Sequence, residues 1–295
     1  MADERIPVLF DTDIGSDIDD AVALAYLLRQ PRCELVGVTT VSGQARRRAM
    51  LADAVCQAAG RSDIPIHSGA EQPLLVEQRQ KTAPQAEVLD RFPHRDDFPP
   101  NTAVEFLRQA IRSRPGEIVL VAVGPTTNLG LLFATDPDVA SMLKGLVLMC
   151  GRFVSGGPGA AEHNASCDPH ATAIVYRAAA RPHISHGLDV TTRCRLDAAT
   201  CRERLRGGPL DVVAAMAEVW FRSVETITFH DPLAAASLFE PGLCTYQEGK
   251  VEVELSGRLT LGLTRWNPSS GEKPHRVATD VDPERFFGHY FSVVA

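Results

Sequence analysis

The sequence contains no C-x-x-C pair, no long apolar run and no extended block of like charge. Its seven cysteines are scattered, which predicts reduced thiols buried as small apolar groups rather than disulfides. The lack of any apolar run of about 20 residues excludes a membrane helix. The polar N-terminus has no apolar segment behind it and gives no sign of a signal peptide. We therefore expect a cytoplasmic protein with no membrane partner.

Basic charge is also sparse. The longest basic run is Arg46–Arg48, in a chain with a formal net charge of -7. A nucleic-acid-binding surface normally shows in the sequence as a strong basic patch. We therefore predict no nucleic-acid partner and interpret Arg46–Arg48 as a solvated helix face.

Short apolar runs bounded by glycine alternate with helical patterns along most of the 295 residues, and the chain is 44% hydrophobic, enough for a sizeable core. This alternation predicts an α/β fold: an open, mostly parallel central sheet flanked by helices, Rossmann-like, in a single domain over residues 1–295. The predicted strands are IPVLF, CELVGVTTV, IPIHSG, GEIVLVAVG, GLVLMCG and HISHGLDVT. Predicted helices cover about 19–29, about 45–59, a segment from near Thr127, and 169–180.

Two regions depart from this alternation. Residues 82–101 have no period and many prolines, which indicates a long surface loop. Near the C-terminus, KVEVELS, LTLGLTRW and HRVATDV predict a small antiparallel extension of the sheet. The segment PERFFGHYFSVV predicts a final helix.

The segment FDTDIGSDIDD holds five aspartates: Asp11, Asp13, Asp17, Asp19 and Asp20. Asp11 and Asp13 end a strand and point the same way, while Asp19 and Asp20 open the next helix, where the dipole favours carboxylates. Ligand sites of open α/β sheets lie beyond the carboxyl ends of the strands. Carboxylates without nearby His or Cys suit Ca²⁺ or Mg²⁺. A helix cap would account for only one or two of the five.

Two known aspartate motifs share features with this segment. An EF-hand loop counted from Asp11 would need Gly and Glu where Ser16 and Val22 stand, so it is excluded. The letters FDTD resemble the D-x-D opening of haloacid-dehalogenase-type phosphatases, which use an aspartate nucleophile. That alternative stays open here, although Ile14-Gly15 departs from its usual pattern.

The longer stretch DTDIGSDIDDAVAL resembles the N-terminal signature of the nucleoside hydrolase family, of the inosine-uridine-preferring type. Further blocks resemble that family in the same order along the chain: VGVTTVSGQ, VGPTTNLG, AEHNASCDPHAT, GLDVT and HDPLAAA, with EVELSGRLTLGLT and VDPERFF in the tail. The resemblance implies hydrolysis of the N-glycosidic bond of ribonucleosides, with one Ca²⁺ held by aspartates and an oxocarbenium-like transition state.

The resemblance also implies roles for individual residues. As ligands of Ca²⁺ it implies Asp13, Asp20, Asp231 and the main-chain carbonyl of Thr127. As catalytic groups it implies Asp13, the general base, and His230, the acid for the leaving base. As substrate contacts it implies Asp19, Gln44, Met149, Glu162, His163 and Asn164. Asp11 would orient the loop by hydrogen bonds, and Asp17 receives no role.

Three departures from the family pattern concern the substrate. Gln44 stands where Asn is usual, His163 where Phe is frequent, and an expected Asn is missing near Gly156 or Gly157. They indicate an altered pocket near the 5′ end of the sugar. The base preference stays open: the departures predict a substrate that need not be inosine or uridine, with a modified nucleoside as one alternative. A noncatalytic nucleoside-binding protein is a third hypothesis.

The resemblance further implies a homo-oligomer, a dimer or tetramer, acting in nucleoside salvage. The aromatic residues Trp220, Phe221 and Phe229 precede His230 and could border the base, although core packing is the favoured interpretation.

Overall fold

The computed structural model of the protein describes residues 5–153 and 161–295. Its strands are β1 (Ile6–Thr12), β2 (Cys33–Thr40), β3 (Ile66–Ser68), β4 (Val119–Ala122), β5 (Gly145–Met149), β6 (His183–His186), β7 (Arg195–Asp197), β8 (Thr226–Thr228), β9 (Cys244–Val253), β10 (Thr264–Asn267) and β11 (His275–Val281). Its α-helices are α1 (Asp19–Arg29), α2 (Ala45–Ala58), α3 (Ala103–Ser113), α4 (Thr127–Thr135), α5 (His163–Cys167), α6 (Pro169–Arg177), α7 (Leu188–Thr191), α8 (Ala198–Arg204), α9 (Pro209–Trp220), α10 (His230–Ser237) and α11 (Pro283–Val294). Short 3₁₀ helices cover Pro84–Arg91, Pro137–Met142 and Pro241–Leu243.

Within the described residues, nine strands form one sheet in the order β10-β9-β11-β6-β5-β4-β1-β2-β3. The strands from β11 to β3 pair in parallel, whereas β9 pairs antiparallel with both β11 and β10. Strands β7 and β8 form a separate antiparallel pair. This confirms the predicted mostly parallel sheet with an antiparallel C-terminal extension.

Helices cover both faces of the sheet, and the central strands are apolar on both sides for that reason. In β1, Val8 and Phe10 point into one core, whereas Leu9 points into the other. Strand β4 alternates in the same way, with Val121 in the first core and Leu120 in the second. Successive residues of a strand face opposite sides, so one apolar run supplies two cores.

Three local predictions are wrong. HISHGLDVT is not one strand: β6 ends at His186, and 188–191 forms the single turn α7 because Gly187 accepts backbone hydrogen bonds from Val190 and Thr191. Part of the predicted loop 82–101 is the 3₁₀ helix Pro84–Arg91. The run Arg46–Arg48 is not wholly solvated, since Arg48 is 0% exposed and its guanidinium is surrounded by carbonyl oxygens.

The cysteines behave as predicted. All seven are free, and all except the half-buried Cys244 are buried. In the described part of the chain, none of the helices combines the length and the apolar character that a bilayer-spanning helix requires.

Candidate active site

A cavity of about 520 Å³ lies at the carboxyl ends of the central strands. Asp13 follows β1, Val123 follows β4 and Met149 ends β5, and all three line this cavity. Ligand sites of open α/β sheets occur at this edge. A larger cavity of about 950 Å³ beside α6 and β9 contains none of the predicted site residues.

Three buried carboxylates meet at one wall of the cavity. Asp19 and Asp20 open α1, Asp231 is the second residue of α10, and one oxygen of each lies within 4.8 Å of the others. The backbone N–H of Asp231 donates to Asp19 Oδ2 at 3.0 Å. Asp20 Oδ1 accepts hydrogen bonds from Thr12 Oγ1 and, at 3.1 Å, from the backbone N–H of Asp13. The group is therefore fixed from both ends of the chain.

The electrostatics of this group are compatible with a bound cation. Burial raises the pKa of Asp19, Asp20 and Asp231 well above the usual range of a carboxyl group, and repulsion among the neighbouring aspartates raises it further. The same causes raise the pKa of Asp17, which lines the cavity, to about 6. Three oxygen donors of this kind fit a hard divalent cation such as Ca²⁺.

Two of the predicted metal ligands lie outside the group of three. Asp13 lines the same cavity and is buried, with its side chain beyond the 4.8 Å group. Thr127 begins α4, and its hydroxyl donates to Asp168 Oδ2 at 2.8 Å. Its side chain does not line the cavity.

Asp11 lies behind the site in the buried end of β1. Its Oδ2 accepts hydrogen bonds from Thr39 Oγ1 at 2.5 Å and from Asn128 Nδ2 at 2.8 Å, while Oδ1 has no partner in the described parts of the chain. Burial raises its pKa to about 7. These contacts tie the end of β1 to β2 and α4.

A further part of the cavity lining is formed by Glu162, His163 and Asn164. The Glu162 carboxylate accepts three backbone hydrogen bonds, from Asn164 at 2.7 Å and from Gly151 and Ala165 at 2.9 Å, and so caps α5. Burial raises the pKa of Glu162, while these three donors oppose that rise. The amide of Asn164 donates to the carbonyl of Val123 at 2.5 Å and to that of Met149 at 2.9 Å. Both polar side chains are thus locked to the strand ends.

His230 is the first residue of α10 and lines the cavity. Its Nδ1 lies 2.7 Å from Thr191 Oγ1 in α7. Burial lowers the pKa of His230 to about 4, and the charge of Arg195 adds to this effect. The imidazole is therefore neutral at physiological pH.

The aromatic residues before His230 have different surroundings. Trp220 lines the cavity, and its Nε1 donates to the carbonyl of Thr226 at 2.9 Å. Phe229 is buried in the core against Phe286 and Tyr290, as the favoured interpretation has it. Phe221 lies under the guanidinium of Arg202, 4.8 Å away, rather than at the cavity.

The positions that depart from the family pattern lie in different surroundings. Gln44 does not line the cavity: its Oε1 accepts from the backbone N–H of Ala83 at 2.9 Å, and its φ of 62° is left-handed. His163 lines the cavity beside Cys167, with Nε2 at 3.5 Å from Sγ. Gly156 and Gly157 lie outside the described residues.

Sequence reasoning missed one side of the cavity and one buried hub. The missed wall comprises Arg79, Gln80, Lys81, Thr82 and Pro84. The hub is Asp168, fully buried, which accepts from the backbone N–H groups of Leu74 and Ala171 and from Thr127 Oγ1. The D-P pair at the start of a helix was the one available signal for Asp168, while the wall has no periodic pattern.

The fold and this cavity define an α/β enzyme with a carboxylate site at the carboxyl ends of a parallel sheet. The profile of the inosine-uridine preferring nucleoside hydrolases matches residues 8–288, so the chain belongs to that family. It is accordingly a hydrolase of N-glycosidic bonds, and the phosphatase alternative loses its support.

Individual relatives agree with this assignment. The chain is 32% identical to uridine nucleosidase 1 of Arabidopsis thaliana, over 94% of this chain and 89% of that protein. It is also 32% identical to the pyrimidine-specific ribonucleoside hydrolase RihA of Citrobacter koseri, over 95% of each. Among solved structures, the plant nucleoside hydrolase PpNRh1 superposes with a TM-score of 0.84 at 27% identity, covering 98% of both chains.

Proposed function

We propose that the protein hydrolyses ribonucleosides with the help of Ca²⁺ held by Asp20 and Asp231, together with Asp13 and the carbonyl of Thr127. The observation that carries this proposal is the group of three buried carboxylates with oxygens within 4.8 Å of one another. Such a group is costly to keep ionised unless a cation lies among them. Held by these residues, the ion would supply Lewis-acid polarisation of a water molecule and of the ribose diol.

The remaining steps belong to side chains of this protein. Asp13 accepts the proton of the attacking water, since its carboxylate lines the cavity beside the ligand group. Asp19 contributes a further carboxylate for a ribose hydroxyl. Glu162 and Asn164, which also line the cavity, hold the sugar, with Glu162 at the 5′-hydroxyl. Because three backbone donors already fix the Glu162 carboxylate, it meets the sugar in a preset orientation.

His230 assists departure of the base. Its pKa of about 4 makes the ring neutral, so it donates through one N–H rather than as an imidazolium ion. The contact of Nδ1 with Thr191 holds the ring in one orientation, with Nε2 left for the base. Met149 and His163 complete the walls near the sugar, whereas Gln44 acts only through the backbone at Ala83.

We propose a pyrimidine ribonucleoside, of which uridine is the simplest, as the preferred substrate. Two relatives at 32% identity carry names that specify uridine or pyrimidine ribonucleosides. Trp220 gives the cavity an aromatic face against which a pyrimidine can stack. We further propose one domain, a cytoplasmic homo-oligomer (dimer or tetramer), and a role in nucleoside salvage.

The test is release of free base from purine, pyrimidine and modified ribonucleosides, with and without a calcium chelator. Release from uridine, lost on chelation and restored by Ca²⁺, is the expected result. Asp13→Asn should abolish turnover, whereas Asp90→Asn, at an exposed position, should not change it. Turnover that is indifferent to chelation would contradict the metal assignment, and binding without turnover would favour the noncatalytic alternative.

A further inference from the structure

Arg48 is a buried cation in an otherwise solvated basic run. Its side chain is 0% exposed, while Arg46 and Arg47, on the same helix α2, are exposed. Arg46 donates to the carbonyl of Asp96 at the surface. A fully buried arginine is rare and needs partners for its donors.

The partners of Arg48 come from three separate segments. From the loop after β1, its Nη1 contacts the carbonyl oxygens of Asp13 and, at 3.1 Å, Ile14, and the hydroxyl of Ser16 at 3.0 Å. At the start of α2, Nε donates to the carbonyl of Gly43 at 2.9 Å. From the cavity wall, the carbonyl of Thr82 accepts from Nη2 at 3.0 Å.

The two loops that Arg48 joins are also joined directly. Ser16 Oγ donates to the carbonyl of Thr82 at 3.3 Å, and Gln85 Nε2 donates to the carbonyl of Ser16 at 3.0 Å. The backbone N–H of Gly43 donates to the carbonyl of Gln80 at 3.2 Å. A Cβ at Gly43 would lie 2.6 Å from that oxygen, so the wall packs tightly on this turn.

The contacts of Arg48 are to neutral oxygens. Within residues 5–153 and 161–295 it forms no ion pair at 4.0 Å or less. Its charge still acts on the site, because it opposes the rise that burial and Asp13 cause in the pKa of Asp20. The planar guanidinium reaches several carbonyl groups at fixed angles, which an ammonium group cannot do.

We propose that Arg48 is a positioning residue that fixes the backbone of Asp13 against the cavity wall at Thr82, and thereby sets the geometry of the ion-binding carboxylates. The proposal rests on the proposed function for its ion and its substrate. In this proposal, Arg48 connects the aspartate loop, which holds the ion, to the 79–84 wall, which faces the substrate. Loss of the Arg48 guanidinium should therefore both weaken Ca²⁺ binding and slow turnover.

The experiment compares Arg48→Lys and Arg48→Met with two controls on the same helix. Arg47→Met removes an exposed charge, and Val55→Ala, at a buried position, lowers stability without touching the site. Three properties of each variant are measured. Titration calorimetry gives the Ca²⁺ affinity, steady-state kinetics with uridine give kcat and KM, and thermal unfolding gives the stability. Both Arg48 variants should raise the Kd for Ca²⁺ and lower kcat by roughly 10- to 100-fold. Arg47→Met and Val55→Ala should leave the Kd unchanged.

The outcomes separate the two proposals. Wild-type Ca²⁺ affinity and kcat in both Arg48 variants would overturn the positioning role, as would an equal loss of affinity in Val55→Ala. If Arg48→Met does not fold, Arg48→Lys keeps the buried charge and carries the test. A wild-type protein that binds no Ca²⁺ would instead overturn the proposed function, and the role of Arg48 with it.

Discussion

The carboxylate of Asp19 accepts a hydrogen bond of 3.0 Å from the backbone N–H of Asp231, which lies 212 positions further along the chain. Asp19 opens α1, and Asp231 stands in the first turn of α10. Two helix N-termini, which favour negative charge, therefore meet at one point. Their dipoles lessen the repulsion among the carboxylates but do not remove it, since the pKa values of these groups remain raised.

The first prediction concerns Asp231→Asn. A raised pKa means that the folded protein binds more protons than the unfolded chain, so these aspartates favour folding below about pH 4 and oppose it as the pH rises. Removing one charge should therefore stabilise the metal-free protein at pH 7.5. With Ca²⁺, wild type should gain stability and the variant should not. Thermal unfolding with chelator or with Ca²⁺, between pH 5 and 8, measures both effects.

Asp90→Asn is the matched control for this prediction, because Asp90 is exposed and does not belong to the group of three buried carboxylates. Its unfolding temperature should follow wild type in chelator and in Ca²⁺. An Asp231→Asn protein that is still stabilised by Ca²⁺ as strongly as wild type would exclude Asp231 as a ligand.

The second prediction concerns His230→Ala. If His230 donates a proton or hydrogen bond to the leaving base, its loss should lower kcat for uridine by about 10²- to 10⁴-fold. A riboside with a nitrophenolate leaving group needs no such donor, so the kcat of His230→Ala for that substrate should stay close to the wild-type value. The ratio of the two kcat values is the measurement. Equal losses for both substrates would assign His230 to binding or structure instead.

The third prediction concerns Glu162→Gln. A glutamine has a single acceptor oxygen, so at least one of the three backbone N–H groups that now point at Glu162 would face an NH₂ group. We expect a loss of about 1–3 kcal/mol in the free energy of unfolding. Discrimination between uridine and 5′-deoxyuridine should also shrink, as seen in kcat/KM.

A cap elsewhere in the protein provides the comparison for Glu162. Asp197 caps α8 by accepting from the backbone N–H of Thr200 at 2.9 Å, away from the cavity. Asp197→Asn should affect stability alone. The same change in substrate discrimination in both variants would refute a contact of Glu162 with the 5′-hydroxyl.

The fourth prediction concerns His183→Phe. His183 is fully buried between Tyr176, stacked at 5.1 Å, and His275, perpendicular at 4.8 Å, and neither of its ring nitrogens has a hydrogen-bond partner in the described chain. Removal of this unsatisfied group should raise the free energy of unfolding by about 1–3 kcal/mol. Denaturant unfolding at pH 7.5 and pH 5 measures the gain.

The gain should be larger at pH 5. Burial lowers the pKa of His183 well below its usual range, so the unfolded chain takes up a proton near pH 6.5 and the folded protein does not. The wild-type free energy of unfolding therefore keeps its full value above pH 6.5 and falls as the pH drops below it, because the unfolded chain is then favoured by protonation of His183. His94, half-buried with Nδ1 at 2.8 Å from the carbonyl of Phe92, is the control position. A gain in the free energy of unfolding that is equal at both pH values would contradict the lowered pKa of His183.

The strand ends and helix starts of the site could be predicted from the sequence, because the signals for them are local. Asp13 follows an apolar strand, and Asp19 and Asp20 open a helix, so their common edge of the sheet follows from topology. The meeting of Asp20 with Asp231 needed the resemblance to a family, since no periodicity reports a contact over such a separation.

Other parts of the site could not be predicted in this way. Arg48 has the same local sequence as its exposed neighbours, and its contacts with Asp13, Ser16 and Thr82 in two remote loops distinguish it. The wall from Arg79 to Pro84 has no periodic pattern, because its shape is set by hydrogen bonds to Ser16 and Gln44. Gly187 ended a strand early by accepting two backbone hydrogen bonds, which the apolar letters after it do not reveal.

The division of the carboxylate group between α1 and α10 has a consequence for protein synthesis. A chain still growing on the ribosome contains Asp19 and Asp20 long before Asp231 is added. Until then it carries the two acidic groups at the start of α1 without the third. The group of three carboxylates therefore assembles only in chains synthesised beyond Asp231, and a product that stops before α10 lacks it.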